Sequence, residues 1–489
     1  MYLLNIQEKV DIAKQLARLG VDVIEPGFPL TSSGDFEAVM RIAREVEGPY
    51  ICGFTRTIIK DIDETWKAIK DAQKKCFHIF ISSSDIQIKH QLGKSERDVL
   101  EIVKKTIYHA KQYTDEIEYS PMDASRTRIE YLYEVIEAAI ENGATIINIP
   151  DTVGYSTPIE FGELIKNIKS NVRNIDKAII SVHCHNDLGM AAANSVVAAM
   201  NGAQQIECTI NGLGERAGNA SLEEVVMHLE ARKSYLGFET GIDVSQLYKA
   251  SKLVSKYMRI QIHVNKPIVG KNVFTHESGI HQDGVLKERS TYEVIDPKVV
   301  GRDDSNILLG KHSGRHALKM EAQKMGYNLN EEQLIKLFND FKELTDKKKN
   351  VTTADLESLI TEKVVKAIKA IYELDKIKVI SGNIDTPSAK VIVKDINSNA
   401  IEAEECGNGP IDAVFKAISS VIKETSCLTL YQYNVSAVTE EMESLGEVSV
   451  TLKSSEGMFT GIGTHTDIIT SSAIAYIDAV NKYISRKAK

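Results

Sequence analysis

The sequence lacks the features that mark two large classes of protein, those that bind nucleic acids and those that cross membranes. Acidic residues outnumber basic ones, 68 to 59, and the longest cationic run is Lys347–Lys349. Such a short run is typical of a solvated linker, so we do not expect nucleic acid as a partner. No apolar stretch approaches the roughly eighteen residues that a membrane-spanning helix needs, so we expect no membrane partner either.

Cysteine is scarce, and no two of the six cysteines stand at the spacing of a metal or disulfide motif. Several lie inside apolar runs that read as strands, which is typical of reduced thiols in a protein core. The N-terminus, Met1–Asn5, lacks the charged, apolar and small-residue segments of a signal peptide. We therefore expect a cytoplasmic protein with reduced cysteines.

A chain of 489 residues is expected to form two to four domains. From Asn5 to about residue 212, segments with helical periodicity alternate with short apolar runs. Asn5 and Glu8 form a capping-box pattern, and Gly20 ends the helix that they open. Seven apolar runs are predicted strands: Val21–Phe28, Tyr50–Thr57, Cys76–Ser84, Glu116–Ala124, Thr145–Val153, Ala178–His185 and Gln204–Gly212. This alternation indicates parallel βαβ units whose strands are buried on both faces.

Polar residues stand at the ends of these predicted strands: Glu25, Arg56, Ser84, Asp123, Thr152, His183, His185 and Asn211. In a (β/α)8 barrel the carboxyl ends of all strands surround one mouth, whereas a doubly wound sheet concentrates function at one switch point. We therefore predict an α/β fold with a TIM (β/α)8-type barrel. Because only seven strands are found and a helix comes first, we expect this chain to lack the barrel's first strand.

His183 and His185 form the strongest local pattern, because alternate residues of a strand point to the same side. Two imidazoles that converge suit a divalent cation. In an alternative interpretation, one histidine caps the following helix and the other is a hydrogen-bonded core residue.

Three further polar segments are weaker signals. The glycine-rich run Asn211–Ala220 contains Asn219, which could reach a metal or its water, but such a run is often just a tight turn. In Thr275–Gly284, two histidines beside two carboxylates could supply a general base. That segment and the glycine-punctuated run Leu309–Ala317 are also compatible with surface loops before helices.

The polar and glycine-rich segments, taken in order, resemble those of a known family over essentially the whole chain. In order, the segments are Glu25–Pro29, Ser120–Arg126, Asn148–Tyr155, His183–His185, Gly214–Asn219, His276–Gly284 and Gly310–His316. Together they resemble the 2-isopropylmalate synthase family, with which homocitrate and citramalate synthases share much of the barrel. The resemblance implies an acyltransferase that condenses acetyl-CoA with 2-oxoisovalerate to 2-isopropylmalate in leucine biosynthesis, with leucine as feedback inhibitor.

The resemblance also implies a divalent metal, Mn²⁺ or Mg²⁺ with Zn²⁺ as an alternative. His183 and His185 would bind this metal, Asn219 would lie close to it, and the metal would polarise the ketone of the 2-oxo acid. Thr152 would bind the carboxylate of the substrate. The other residues implied to line the substrate pocket are His78, Ser120 and Asn148.

A general base is implied to come from the partner subunit of a homodimer. His281 and Tyr292 would help to deprotonate the methyl group of acetyl-CoA, and Glu277 lies in the same polar segment as His281. The resulting enolate would attack the ketone, and hydrolysis of the thioester would drive the condensation forward.

The chain departs from the family pattern in three places. The family opens with a strand carrying an Arg-Asp-Gly-Glu-Gln motif, whose Asp binds the metal and whose Arg stabilises charge on the ketone oxygen, and this sequence starts just after that motif. Met122 stands where the family commonly has glutamate, and Gln87 stands at a common histidine position. Loss of one charge-stabilising donor typically costs about a hundred- to a thousandfold in rate. We therefore expect low activity from the isolated polypeptide.

From about residue 372 the helical pattern gives way to predicted strands: Lys376–Ile380, Ala389–Lys394, Thr429–Val438 and Glu447–Leu452. Two glycine-rich turn-to-helix elements recur there, Gly407–Asp412 and Gly461–Asp467, which predicts an α+β domain of two βββα repeats. The domain resembles the family's allosteric domain. A glycine-rich turn at a helix start can bind a carboxylate, although alone it more often serves packing. The residues expected at a leucine site are Gly407, Gly409, Asp412, Gly461, Gly463 and Asp467.

The predicted domains are a catalytic barrel at 1–255, helical linker subdomains at 256–371 that contribute to the partner's active site, and a leucine-binding regulatory domain at 372–489. Three alternatives stay open. Citramalate synthase uses pyruvate instead, and one or two methyl groups in a pocket are worth only about 1–3 kcal/mol. A catalytically inactive, leucine-sensing subunit and a reading frame that begins further upstream are the other two.

Overall fold

The computed structural model describes residues 4–302, 306–307, 313–325, 327–347, 355–356, 359–360, 371–437, 446–455 and 457–487. The chain divides into two compact units. One comprises Met1–Thr275 and Glu293–Asn306, and the other comprises His276–Tyr292 and Ile307–Lys489. Most of the lysine run at 347–349 and part of the glycine-punctuated segment at 309–317 lie outside the described residues.

The first unit is built on one parallel sheet of seven strands in chain order. The strands are β1 Val23–Ile24, β2 Tyr50–Arg56, β3 Lys75–Ser82, β4 Ile117–Met122, β5 Ile146–Asp151, β6 Ile179–Cys184 and β7 Gln205–Glu207. The main helices are α1 Ile6–Leu19, α2 Ser33–Glu45, α3 Ile59–Ile69, α4 Glu96–Ala110, α5 Ile129–Glu141, α6 Pro158–Asn171, α7 Ala191–Met200, α8 Leu222–Ala231 and α9 Leu247–Met258. Among the described residues no eighth strand joins this sheet, and β1 and β7 are its edges. The predicted TIM-type barrel with seven strands after a leading helix is confirmed.

Local sequence explains how the helices begin and end. Asn5 accepts a hydrogen bond from the backbone N–H of Glu8, and the Glu8 carboxylate accepts one from the N–H of Asn5, so the predicted capping box is present. Gly20 ends α1 in the left-handed region, at φ 86°. Ser95 and Thr157 open α4 and α6 with the same kind of box. None of the described helices is both long and apolar enough to cross a membrane.

The strands are buried on both faces, as their apolar composition predicts. Every residue of β5 is buried, and Ile147 and Ile149 are inaccessible to solvent. The buried cysteines of this unit are free thiols, as expected, and they are Cys52, Cys76 and Cys184. In the second unit Cys406 and Cys427 are also free thiols, but they are exposed, so the expectation of core cysteines does not extend to them.

At the two edges of the sheet the predicted strands are too long. The run Val21–Phe28 contributes only two strand residues, and Gln204–Gly212 contributes only three. Beyond β1, Pro26 has no N–H to donate and Gly27 has φ 122°, which no regular strand adopts. Glu25 therefore lies in a loop at the carboxyl end of β1.

In the described residues of the second unit, three main helices precede two antiparallel three-stranded sheets. The helices are α10 Gly279–Lys287, α11 Arg315–Lys324 and α12 Glu331–Lys347. The first repeat consists of β8 Tyr372–Ile380, β9 Ser388–Asp395, β10 Ala400–Cys406 and α13 Pro410–Val421. The second consists of β11 Thr429–Ala437, β12 Gly446–Ser454, β13 Gly457–His465 and α14 Ile468–Lys487. The predicted pair of βββα repeats is confirmed.

One element of the second repeat differs from the prediction. Gly461 and Gly463 lie in strand β13 and not in a turn, because the turn to α14 comes only after His465. A side chain on Gly461 would collide with the carbonyl oxygen of Ala475, and one on Gly463 with that of Ser471. These two glycines therefore allow β13 to approach α14 closely, which is a packing requirement.

Candidate active site

The two histidines of the H-x-H pattern converge, as the alternation of a strand predicts. His183 lies on β6, and His185 follows the end of the strand, where it pairs with Asn219 in an antiparallel bridge. The Nε2 atoms of the two imidazoles are 3.2 Å apart. Two nitrogen ligands about 2.1 Å from one cation lie about 3.0–3.4 Å apart in octahedral or tetrahedral geometry, so this separation fits a shared cation.

Both imidazoles are neutral at physiological pH. Burial lowers the pKa of His183 to about 4, and burial together with the proximity of His183 lowers the pKa of His185 to about 4. Neutral imidazole is the form in which histidine binds metals. Asn219 Oδ1 is buried and has no hydrogen-bond partner among the described residues, and an amide oxygen is a good ligand for a hard divalent cation. These three residues fit the divalent metal that the resemblance implies.

Three of the four residues predicted to line the substrate pocket contact one another. His78 is buried in the middle of β3, and its Nε2 lies 2.6 Å from Ser120 Oγ. Its Nδ1 lies 2.7 Å from Glu25 Oε2. Asn148 donates from Nδ2 to Ser120 Oγ at 2.8 Å. Side chains from β3, β4 and β5 thus form one hydrogen-bonded group that also includes Glu25 after β1.

Thr152, the fourth predicted pocket residue, follows β5 at the carboxyl ends of the strands. Its Oγ1 accepts a hydrogen bond from the backbone N–H of Asp123 at 2.9 Å. Its carbonyl oxygen accepts one from Arg216 at 2.7 Å, and Arg216 also pairs with Asp187 in the loop that follows His185. Thr152 is therefore held between the loops after β4 and β6, at the same mouth as the histidine pair.

Two carboxylates inside the barrel, the buried Glu118 on β4 and the half-buried Glu207 at the end of β7, were not predicted. Glu207 Oε2 lies 2.6 Å from His183 Nδ1, and Glu207 Oε1 lies 3.6 Å from His78 Nδ1. Glu118 is only 2% exposed. The available signal was a carboxylate in the middle of an apolar strand, Ile117-Glu118-Tyr119, in a sheet predicted to be buried on both faces.

The cluster of His78, Glu118 and Glu207 holds protons instead of remaining fully ionised. Burial opposes a charge on His78, but attraction by Glu25, Glu207 and Glu118 outweighs burial and raises the pKa of His78 to about 10. Burial and repulsion by Glu207 raise the pKa of Glu118 to about 8. Burial also raises the pKa of Glu207. The buried imidazolium thus offsets part of the charge of the surrounding carboxylates.

His78, Glu118 and Glu207 also present ligand atoms within 4.8 Å of one another, a grouping that could hold a metal ion. Both nitrogens of His78, however, already form hydrogen bonds, and its positive charge would repel a cation. The Nε2 atoms of His183 and His185 face each other and lack such competition. The histidine pair is therefore the better candidate for the metal.

Arg56 and Asn211, which the sequence places at strand ends, serve local structure instead. Arg56 pairs with Asp61 at 2.6 Å. Asn211 adopts φ 61° and donates from Nδ2 to the carbonyl oxygen of Ser251 at 3.2 Å. Position at a strand end alone therefore did not separate site residues from structural ones.

The predicted general-base group belongs to the second unit. The rings of His281 and Tyr292 stack with their centroids 4.1 Å apart, and the His276 ring lies 6.2 Å from that of His281. Glu277 is exposed just before α10. The structure thus brings His281 and Tyr292 together and leaves both His281 and Glu277 accessible to a ligand.

At the predicted leucine site, the two aspartates hold the starts of the helices. Asp412 accepts hydrogen bonds from the backbone N–H of Asn408 and from Lys416, both at 2.8 Å. Asp467 accepts one from the backbone N–H of Thr470 at 2.7 Å. The residues of the turn before α13 are Gly407, Asn408 and Gly409. The carboxylates are therefore already engaged in capping.

Three family models match consecutive parts of the chain. The HMGL-like model matches residues 2–254. The homocitrate synthase post-HMGL domain-like model matches residues 268–349. The LeuA allosteric (dimerisation) domain model matches residues 350–484.

Curated relatives are similar along nearly the whole chain. The 2-isopropylmalate synthase of Acetivibrio thermocellus is 82% identical over 486 residues, which cover 99% of this chain and 95% of that protein. The 2-isopropylmalate synthase of Dictyoglomus turgidum is 49% identical, over 99% of this chain and 96% of that protein. The one of Pyrococcus furiosus is 50% identical, over 98% of this chain and 95% of that protein. The chain therefore belongs to the 2-isopropylmalate synthase family.

Proposed function

We propose that this chain is a cytoplasmic acyltransferase that condenses acetyl-CoA with 2-oxoisovalerate to (2S)-2-isopropylmalate, as a step of leucine biosynthesis. The observation that carries the proposal is the convergent, neutral pair of His183 and His185 beside the unpaired Asn219 Oδ1, in a chain 82% identical to a protein of that name. The reaction joins the methyl carbon of acetyl-CoA, after loss of a proton, to the ketone carbon. Hydrolysis of the thioester then releases CoA.

The proposed metal ligands are His183, His185 and Asn219, and the cation is Mn²⁺ or Mg²⁺. When bound, a divalent cation supplies Lewis-acid stabilisation for charge on the ketone oxygen. Thr152 Oγ1 already accepts a hydrogen bond from Asp123, so its hydroxyl proton is directed elsewhere and can be donated to the carboxylate of the 2-oxo acid. The proposed lining of the rest of the pocket is His78, Ser120 and Asn148.

Deprotonation of the methyl group is assigned to His281 and Tyr292 of a second subunit, with Glu277 beside them. Support comes from the stacking of the two rings and from the exposure of His281. An exposed imidazole can accept a proton from a ligand, and a stacked phenol fixes the orientation of the ring. This assignment requires a homodimer, in agreement with the dimerisation domain that matches residues 350–484.

The reaction is tested by measuring thiol release from acetyl-CoA by the purified full chain in the presence of Mn²⁺ or Mg²⁺. We expect release that depends on 2-oxoisovalerate, a product with the mass of isopropylmalate, and loss of activity when a chelator is added. Faster turnover of pyruvate than of 2-oxoisovalerate would instead identify a citramalate synthase. A folded protein that binds leucine but releases no thiol with either 2-oxo acid would be identified as a sensing subunit.

We propose in addition that leucine binds the C-terminal repeats as a feedback inhibitor. The residues assigned to the site are Gly407, Gly409, Asp412 and Asp467, since Gly461 and Gly463 lie within β13 and pack against α14. Backbone N–H groups at the start of α13 and α14 suit a carboxylate. Because Asp412 and Asp467 already cap these helices, we expect backbone carbonyls to contribute to binding of the ammonium group.

Calorimetric titration of the full chain with leucine, isoleucine and valine tests this regulatory proposal. We expect leucine to bind most tightly, and to bind equally well to a His185→Ala variant, because the two sites belong to separate units. Preference for isoleucine, or no detectable binding of leucine, would contradict the proposal.

A further inference from the structure

The carboxylate of Glu207 contacts one of the two histidines and not the other. Glu207 Oε2 lies 2.6 Å from Nδ1 of His183. The corresponding atom of His185, Nδ1, is buried and has no hydrogen-bond partner among the described residues. The two imidazoles of the pair are therefore oriented by different means.

An imidazole that binds a cation through Nε2 carries its proton on Nδ1, and Glu207 Oε2, 2.6 Å away, is placed to accept the hydrogen bond from that N–H and leave the lone pair on Nε2. That lone pair points towards His185 Nε2, 3.2 Å away. Histidines that bind metals usually donate their second N–H to a carboxylate or carbonyl, and this bond fixes both the tautomer and the ring orientation. His185 lacks such a bond and is instead held by its backbone, through the bridge to Asn219.

We infer that Glu207 is the positioning residue of the metal site, which holds His183 in the tautomer and orientation that bind a divalent cation. The inference rests on the proposed function, since it assumes that the cation binds at the histidine pair. Glu207 itself is not expected to contact the substrate or the cation.

Hydrogen bonds also hold β7, the strand that carries Glu207, against its neighbours. Gln205, two residues earlier on β7, donates from Nε2 to Glu118 Oε1 at 3.0 Å and to Ser181 Oγ at 3.1 Å. Ser181 precedes His183 by two residues on β6, so it projects from the same side of that strand. The contact between Glu207 and His183 therefore belongs to a layered set of pairs between β6 and β7, which restricts movement of the carboxylate.

The experiment measures Mn²⁺ affinity of the full chain without substrates, from the electron paramagnetic resonance signal of the free ion. We expect Glu207→Ala to weaken binding by about 10–100-fold, the usual effect of losing an outer-shell partner. Glu207→Gln should lose less, because the amide oxygen can still accept the hydrogen bond from His183 Nδ1. If Glu207→Ala does not fold, Glu207→Gln takes its place. Weaker Mn²⁺ binding by Glu207→Gln, at an unchanged midpoint of thermal unfolding, would then support the inference.

Two further variants separate the failure of this inference from the failure of the proposed site. Glu134→Gln changes an exposed carboxylate on α5, remote from the pair, and should leave Mn²⁺ affinity unchanged. His185→Ala should abolish binding. If His185→Ala loses Mn²⁺ while both Glu207 variants retain wild-type affinity, the role of Glu207 is wrong and the site stands. If His185→Ala binds Mn²⁺ with wild-type affinity, the cation does not lie at the histidine pair and both proposals are overturned.

Discussion

The interiors of the barrel and of the C-terminal repeats differ in kind. In the barrel, polar side chains occupy the middle of strands, and His78, Glu118, Ser120 and Asn148 are each at most 4% exposed. In the repeats, the buried polar side chains among the described residues are hydroxyls and one amide (Thr425, Ser471, Ser472 and Asn481), and the apolar ones are mainly alanine, valine and isoleucine. Burying a polar group costs free energy unless it is paired, so an interior that retains several such groups has been selected for chemistry more than for stability.

The same difference explains which sequence signals pointed to function. Polar residues in apolar strands of the barrel proved to be neighbours in one hydrogen-bonded group. Glycine-rich segments in the repeats proved less informative, because Gly461 and Gly463 serve close packing of β13 against α14. A local motif thus has to be interpreted together with the interior that surrounds it.

The largest expected effect is at the histidine pair. His185→Ala removes one of the two facing nitrogen atoms, and we expect thiol release to fall about a thousandfold and bound Mn²⁺ to be lost. A matched control is His228→Ala, which removes an exposed histidine on α8 and should leave both measurements unchanged. Turnover at the wild-type rate by His185→Ala would mean that the histidine pair in the barrel is not needed for the reaction.

A smaller effect is expected in the glycine contact of the repeats. Gly461→Ala inserts a methyl group against the carbonyl oxygen of Ala475 and should destabilise the second unit by about 3 kcal/mol. The only tryptophan, Trp66, lies on α3 of the barrel, so its fluorescence follows the first unit alone. We expect the variant to lower the transition seen by circular dichroism and to leave the tryptophan transition in place.

Gly382→Ala is the control for that measurement, because a Cβ there meets no atom within 4 Å. The two variants should differ clearly in the circular-dichroism transition. Equal stability of both would show that β13 and α14 can separate without cost, and that the glycines of this strand are available for another purpose.

The sequence was sufficient for the fold because periodicity is a local property. Alternation of helical segments and apolar runs predicted seven parallel strands, and the capping pattern of Asn5 and Glu8 predicted where α1 begins. Strand lengths at the sheet edges were overestimated, since an edge strand has a partner on one side only. Strand β1 ends at Ile24, two residues before Pro26. The glycines of β13 were assigned to a turn because their contact with α14 is a tertiary one.

The site was predicted only in part for a similar reason. His183 and His185 are two residues apart, so their convergence follows from strand geometry alone. Glu207 and His183 come from different strands, 24 positions apart, and their contact depends on the register of β6 against β7. Glu118 carried no motif, and only its burial reveals that it belongs to the same interior.

The smallest expected effect concerns Glu118, and it tests whether burial of this carboxyl group lowers the free energy of unfolding of the barrel. Its pKa is raised to about 8 by burial and by repulsion from Glu207, so the folded chain keeps a proton that the unfolded chain loses at a lower pH. A group of this kind stabilises the folded state less and less as pH rises from about 4.5 to about 8. Glu118→Gln is neutral throughout, and its amide oxygen can still accept the hydrogen bond from Gln205.

We therefore expect the stability of Glu118→Gln relative to wild type to grow by about 1–3 kcal/mol between pH 5 and pH 8, measured by the fluorescence of Trp66 during denaturant unfolding. Over this range His78, whose pKa is about 10, keeps its charge in the folded chain, so the change reports Glu118 together with Glu207, whose pKa burial also raises. Glu134→Gln, at an exposed position on α5, should show no such trend. A difference independent of pH would mean that Glu118 is ionised in the folded barrel. Its charge would then have to be balanced by the charge of His78. The barrel interior would in that case contain a network of ion pairs in place of a protonated carboxyl group.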